Sequence, residues 1–294
     1  MGSGWLIENI YSELATSSFK NHLRTRIEDI AQLAFRQNEA KLATYIAVCG
    51  ANGIGKSYSS LCLAKVINPA FASDGKKRTL YATEKTSDYL RMMEANKNDL
   101  IVVDEGNRYL GSRDWKNPKQ ISLINQMEIN RADRITHIIN NRGYFSLSSR
   151  FRNEQASIII WGGDRAVNKK SFAQSYSYVF ASPAIFSGDE RWGLEPLKYA
   201  GSQEAMNNLV QKIPSFVGFL FTPDIEKYFT KDEIRMYEAK KAEGINKASA
   251  KNIDYVERME AKEEGHETAG RLEDEAWDEL KIWNKKHPSI VGNY

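Results

Sequence analysis

Residues Gly50, Ala51, Asn52, Gly53, Ile54, Gly55, Lys56 and Ser57 satisfy the spacing G-x-x-x-x-G-K-[ST], set between an apolar stretch and a helical pattern. Glycines at 50, 53 and 55 let the backbone turn tightly. The run of N–H groups through Ala51, Asn52 and Ile54 can then converge on phosphate oxygens. A helix starting near Gly55 adds the positive end of its dipole at the same point. Lys56 is placed to reach the terminal phosphates of a nucleotide, and the Ser57 hydroxyl to bind Mg²⁺. The spacing thus predicts a phosphate site for ATP and Mg²⁺.

A second chemical group lies at "DLIVVDEG", 99–106, where an unbroken apolar run ends in two acids. Asp104, at the carboxyl end of a parallel strand, is expected to support the magnesium. Glu105 beside it is expected to orient and polarise the attacking water; its other role would be to cap the helix that follows. The next apolar run, "RITHIIN", ends in Asn140 and Asn141. If that strand lies between the phosphate-loop strand and the Asp104 strand, its terminal amide approaches the terminal phosphate. Asn141, and after it Asn140, is the candidate sensor, with a turn-stabilising asparagine as the alternative. Of the arginines that follow, Arg131, Arg134, Arg142, Arg150 and Arg152, the pair in "SSRFRN", Arg150 and Arg152, is the first choice for a cation supplied to a neighbouring subunit's transferring phosphoryl group. Any of them could instead serve as a surface or DNA-backbone residue. "NKKS", 168–171, lacks the acid that would read guanine, which leaves ATP as the expected nucleotide.

The surrounding elements must hold these groups in place. Strands are predicted at 42–49, 78–82, 99–104, 134–140 and 156–161, and helices at 55–67, 86–96, 118–130 and 146–153. This alternation indicates a parallel sheet covered on both faces. Leu23, Ile27, Ile30 and Leu33 recur at helical spacing in the segment before it. Beyond Trp161, "SYSYVFASPAIF" and "RWGLEPLKYA" read as a β-hairpin, "GSQEAMNNLVQKI" as a helix and "SFVGFLF" as a strand. The organisation expected is a helical segment 1–41, a P-loop domain 42–222 with these additions, and a charged helical tail 223–294.

With 41% hydrophobic residues among 294, the chain can fill a globular core. No apolar run reaches the roughly 18 residues a membrane span needs, and the start "MGSGWLIENI" lacks the pattern of a signal peptide. Two cysteines, Cys49 and Cys62, both within the core, are read as buried thiols. A cytoplasmic protein is the expectation. The net charge of +3 divides unevenly: 223–294 holds 17 acidic and 13 basic side chains, the rest 21 and 28. A basic body with an acidic tail suits a polyanionic partner for the first and a protein partner for the second.

The order of phosphate loop, "IVVDEGNRYLGSRDW", helix, "THIINNRGYFSLSSRFRN" and "ASIIIWGG" resembles the P-loop ATPases related to zonula occludens toxin, within the FtsK–HerA branch of DNA-pumping motors. The residues that carry the likeness are Asp104, Glu105, 112–115 and 145–152, and it spans about 42–161. The resemblance implies a RecA-like core with the added sensor strand and catalytic glutamate (the ASCE type), working as a homo-oligomer, often a hexameric ring, that couples ATP hydrolysis to movement of double-stranded DNA. Such motors usually end the sensor strand in Gln, where this chain has Asn141, an amide on a shorter stem. With no helix-turn-helix in the sequence, DNA would be held by its phosphates, through loop cations such as Lys116, Lys119, Lys169 and Lys170. The other reading is an ATP-dependent switch or assembly factor whose nucleotide state controls a protein partner.

Overall fold

The apolar runs assemble into one eight-stranded sheet, seen in a computed structural model that describes residues 24–286 except 41, 83, 115, 163–175, 183–193 and 214. The strands are β1 (Arg24–Thr25), β2 (Thr44–Cys49), β3 (Thr79–Leu80), β4 (Leu100–Val103), β5 (Thr136–Asn141), β6 (Ile158–Gly162), β7 (Tyr176–Ala181) and β8 (Phe216–Phe221). Their order across the sheet is β1-β8-β7-β6-β2-β5-β4-β3. From β6 to β3 all neighbours are parallel, and β7 runs antiparallel to both β6 and β8. Strands β2, β4 and β5 are buried along their whole length, as expected of parallel strands covered on both faces.

Helices α1 (Ile27–Glu39) and α2 (Lys56–Ile67) cover one face, packing on Ile46, Val48, Val102, Ile138 and Ile160. Helices α3 (Thr86–Ala95), α5 (Pro118–Ile129) and α6 (Gln203–Val210) cover the other, over Tyr45, Ile101, Ile139, Ile159 and Tyr178. A one-turn helix, α4 (Asn107–Leu110), follows β4, and α7 (Lys231–Lys286) ends the described chain. Because β5 is inserted between β2 and β4, the fold is the α/β, RecA-like arrangement with an added strand expected from the sequence. The order reverses around β2, since β5 and β6 flank it and β3 lies at the edge. The crevice at its carboxyl end is where ligands bind in such sheets.

Three expectations change. The described part of "RWGLEPLKYA", 194–200, is not the return arm of a hairpin: both edges of β7 are taken by β6 and β8, and 195–199 form a 3₁₀ turn. Pro196 has no N–H to donate to a ladder and favours the first turn of a helix. The helix expected at 146–153 is a 3₁₀ turn at Tyr144–Ser146 and a π turn at Phe151–Gln155. The boundaries at 41 and 223 also move. Strand β1 pairs with β8, α1 packs in the core, and Ile225 and Phe229 are buried, so one compact unit runs from Met1 to Lys241 and a second from Ala242 to Tyr294. Only part of the segment 1–41 and of the tail lies within the described residues.

On the face away from the phosphate helix, His137 of β5 is fully buried. Its ring stacks on Tyr45 at 4.7 Å, and Nδ1 is 2.9 Å from the Tyr89 hydroxyl. Burial lowers its pKa to about 3, so the folded protein keeps it neutral while the unfolded chain protonates near 6.5. Its contribution to stability is therefore complete above pH 6.5 and is lost as pH falls toward 3. We expect the stability of the parent, measured by urea unfolding against His137→Phe, to fall by about 1.4 kcal/mol per pH unit between pH 6 and 4 relative to the variant. The other titrating groups are common to both proteins, and a difference independent of pH would show that His137 protonates in the folded state.

Candidate active site

The turn from β2 into α2 is built as the glycine spacing requires. Gly50, Gly53 and Gly55 have φ of 141°, 81° and 89°, a region side-chain-bearing residues rarely adopt. A Cβ on Gly55 would lie 2.4 Å from the Thr222 side chain, and one on Gly50 would lie 2.3 Å from Ile54. Gly162, at the end of β6, is pressed against the same Ile54 side chain. Thr222, just past β8, donates its hydroxyl hydrogen to the Ile54 carbonyl at 3.1 Å. Gly162 and Thr222 thus brace the loop from neighbouring strand ends. Sequence reasoning missed both, because neither has a motif of its own.

Lys56 opens α2, and its Nζ donates to the carbonyl oxygens of Gly50 at 2.7 Å and Ala51 at 2.8 Å, across the mouth of the loop. Burial lowers its pKa, partly offset by the negative charges of Glu105 and Asp104. Ser57 follows on the first turn. Asp104, one residue past β4 and only 7% exposed, faces the same side of the sheet as α2.

A cation fit at this point can be tested from the protein itself. The Lys241 ammonium donates to Ser57 Oγ at 2.8 Å and lies 3.1 Å from Asp104 Oδ2. The hydroxyl and the carboxylate therefore converge on one cation-sized position. Both are hard oxygen donors, the type Mg²⁺ takes, and one or two protein ligands are usual for a phosphate-bound Mg²⁺. Ser57 and Asp104 fit the metal role expected of them.

Glu105 stands at the turn after β4 with φ of 62°, an uncommon conformation for a non-glycine residue. The next residue is held close to β5, with Gly106 N donating to Asn140 O at 2.6 Å. A Cβ at Gly106 would collide with Ile139, so the Asp-Glu-Gly turn is fixed by contact with β5. The Glu105 carboxylate is half exposed and faces Arg142, whose Nε is 3.9 Å away. The Arg142 carbonyl in turn accepts from Gly50 N at 3.1 Å, which links the end of β5 to the start of the loop.

The two asparagines exchange the places expected of them. Asn141 is committed locally: its amide donates to Gly143 O and Ser146 Oγ, both at 2.9 Å, and its Oδ1 accepts from Asn107 N. Asn140 is the amide directed at the site, bonded to Ser60 of α2 and 3.5 Å from Asp104 Oδ1. The register gives the reason. Val102 pairs with Ile138 and Val103 with Ile139, so Asp104 continues opposite Asn140 and shares its face.

Arg150 and Arg152 are not brought to the phosphate loop. Arg150 is paired with Glu128 at 2.8 Å and Glu154 at 3.2 Å, while Arg152 lies over the Tyr144 and Phe145 rings with Glu195 3.5 Å away. Of the five arginines weighed, Arg142 is the one beside Glu105. Lys119 lines a groove of about 530 Å³ together with Lys85 and Arg108. Trp115, Lys169 and Lys170 lie outside the described residues.

No protein-family model matches the chain, and neither does any curated protein. Among solved structures it is similar to the N-terminal domain of zonular occludens toxin from Neisseria meningitidis, with 15% identity, a TM-score of 0.33, and 48% of this chain and 84% of that one covered. It is also similar to the genome-packaging NTPase B204 of Sulfolobus turreted icosahedral virus 2, described in complex with ATP-gammaS, at 14% identity and a TM-score of 0.34. That match covers 51% of this chain and 95% of the other. The DNA-packaging ATPase B204 of Sulfolobus turreted icosahedral virus matches at 13% identity and a TM-score of 0.32, over 47% and 92%.

Proposed function

We propose that the chain is a Mg²⁺-dependent ATPase that works as an oligomer on double-stranded DNA, as a motor for moving a genome. The observation that carries the reading is the convergence of Lys56, Ser57, Asp104, Glu105 and Asn140 at the carboxyl ends of β2, β4 and β5. Backbone N–H groups of 50–57 and the N-terminus of α2 hold the phosphates, with Lys56 swinging from its carbonyl partners to the terminal phosphate oxygens. Ser57 and Asp104 hold Mg²⁺, which when bound neutralises charge on the phosphate oxygens. Glu105 accepts the proton of the attacking water, and Asn140 fixes Asp104 from the α2 side through Ser60. Arg142, next to Glu105, is the cation best placed to respond to the terminal phosphate. Arg150 and Arg152 remain candidates only for action on a neighbouring subunit.

DNA as the partner is supported by the basic balance of the body and by the groove holding Lys85, Arg108 and Lys119. Among the described residues no helix is long and apolar enough to cross a membrane. The test is steady-state ATP hydrolysis with and without double-stranded DNA at low and moderate salt. Stimulation that fades steeply as salt rises is the expected result, since contacts to backbone phosphates release counterions. Hydrolysis indifferent to DNA at both salts would replace the motor with a nucleotide-dependent switch.

A further inference from the structure

The start of α7 does more than continue the chain. Residues 229–241, the approach to α7 and its first turns, are seated on α2 and on the segments that follow α2 and β3 by a series of specific contacts. Phe229 packs edge-on against Phe71, and Lys65 pairs with Glu233 at 3.1 Å. The Tyr58 hydroxyl donates to Glu238 at 2.6 Å, and the Tyr237 ring lies 6.1 Å from that of Tyr81. The series ends at Lys241, whose ammonium reaches Ser57 Oγ and Asp104 Oδ2 with Tyr237 beneath it. Its side chain is one-third exposed and that of Asp104 one-tenth, so the pair is largely shielded from solvent.

We propose that Lys241 is a built-in substitute for the metal: its ammonium holds the position between Ser57 and Asp104, and the seating of 231–241 on α2 and the loading of a metal–nucleotide complex exclude one another. The inference rests on the phosphate-site reading given above. Two cations cannot share one pair of oxygens, and an ammonium offers one charge and N–H donors where a phosphate-bound divalent ion needs oxygen ligands. The Lys241 charge also opposes that of Lys56, which a nucleotide must recruit. The apparent affinity for metal and nucleotide is then reduced by the fraction of molecules in which Lys241 is withdrawn. Whatever draws α7 off α2 raises that fraction, which makes the segment a control point for the site.

The full chain and the variants Lys241→Gln and Lys241→Met, which keep the length of the stem without its charge, would be titrated with Mg²⁺ in the presence of a fluorescent ADP analogue. Both variants are expected to reach half-saturation at an at least about fivefold lower Mg²⁺ concentration. In the parent, amide exchange within 231–241 should accelerate when Mg²⁺ and the analogue are added together. A Mg²⁺ requirement unchanged in the variants, or exchange in 231–241 unchanged on loading, overturns the lock while leaving the phosphate site standing. A raised requirement overturns it too, and makes Lys241 a ligand of the bound nucleotide. If neither parent nor variants bind the analogue, the lock and the phosphate-site reading fail together.

Discussion

Glu105→Gln is expected to bind nucleotide as the parent does and to hydrolyse it about 10²–10⁴-fold more slowly. The amide has the same size and can keep the same backbone, but it cannot accept a proton from water at neutral pH. The ion pair lost with Arg142 is long and solvent-exposed, so it adds little to the effect. The backbone strengthens the assignment. A glutamate at φ 62° carries strain that glycine would not, on the order of 1 kcal/mol. Glu105→Gly should accordingly be as stable as the parent or more so, while turning over as poorly as Glu105→Gln. Strain kept at a position where a smaller residue would be easier points to the side chain as the reason. Filter binding and single-turnover hydrolysis on the three proteins separate the two effects. Parent-rate turnover in Glu105→Gln would take Glu105 out of the chemistry.

Much of this arrangement was legible because a parallel sheet covered on both faces is written as apolar runs. "LIVV" and "IIIW" can be read as buried strands without knowing their neighbours, and the glycine spacing marks where β2 turns into α2. Register is not written in the same way. Asp104 selects Asn140 over Asn141 only once β4 and β5 are known to pair Val103 with Ile139, and a shift of one residue would have reversed the choice. The seat of α7 was hidden for a different reason. Its contacts run through Glu233, Tyr237, Glu238 and Lys241, polar or amphipathic groups that hydropathy patterning counts as a solvated face. Thr222 and Gly162 act on the loop from strands remote in sequence, so only the assembled sheet reveals them.

Lys56→Met should separate binding from stability. The ammonium is half-buried, and burial lowers its pKa, so the folded protein holds the charge at a cost. The sign follows from linkage: with the folded pKa below the unfolded one, the unfolded chain binds more protons, and stability rises as pH climbs through the folded value toward 10.5. Of its two carbonyl partners, that of Ala51 is exposed and can turn to water when the side chain is replaced. Methionine keeps the aliphatic stem and removes the charge, so the thermal midpoint without nucleotide should equal or exceed that of the parent. Nucleotide affinity should fall by about 10²-fold, the worth of one or two charge-assisted hydrogen bonds to phosphate. Thermal unfolding with and without ATP and Mg²⁺ reads both at once: the ligand-induced rise expected of the parent should be largely lost in Lys56→Met. A variant that kept the full rise would mean that the loop amides and the α2 N-terminus hold the phosphates unaided. A variant that lost stability without ligand would mean instead that Lys56 is there to close the loop on itself.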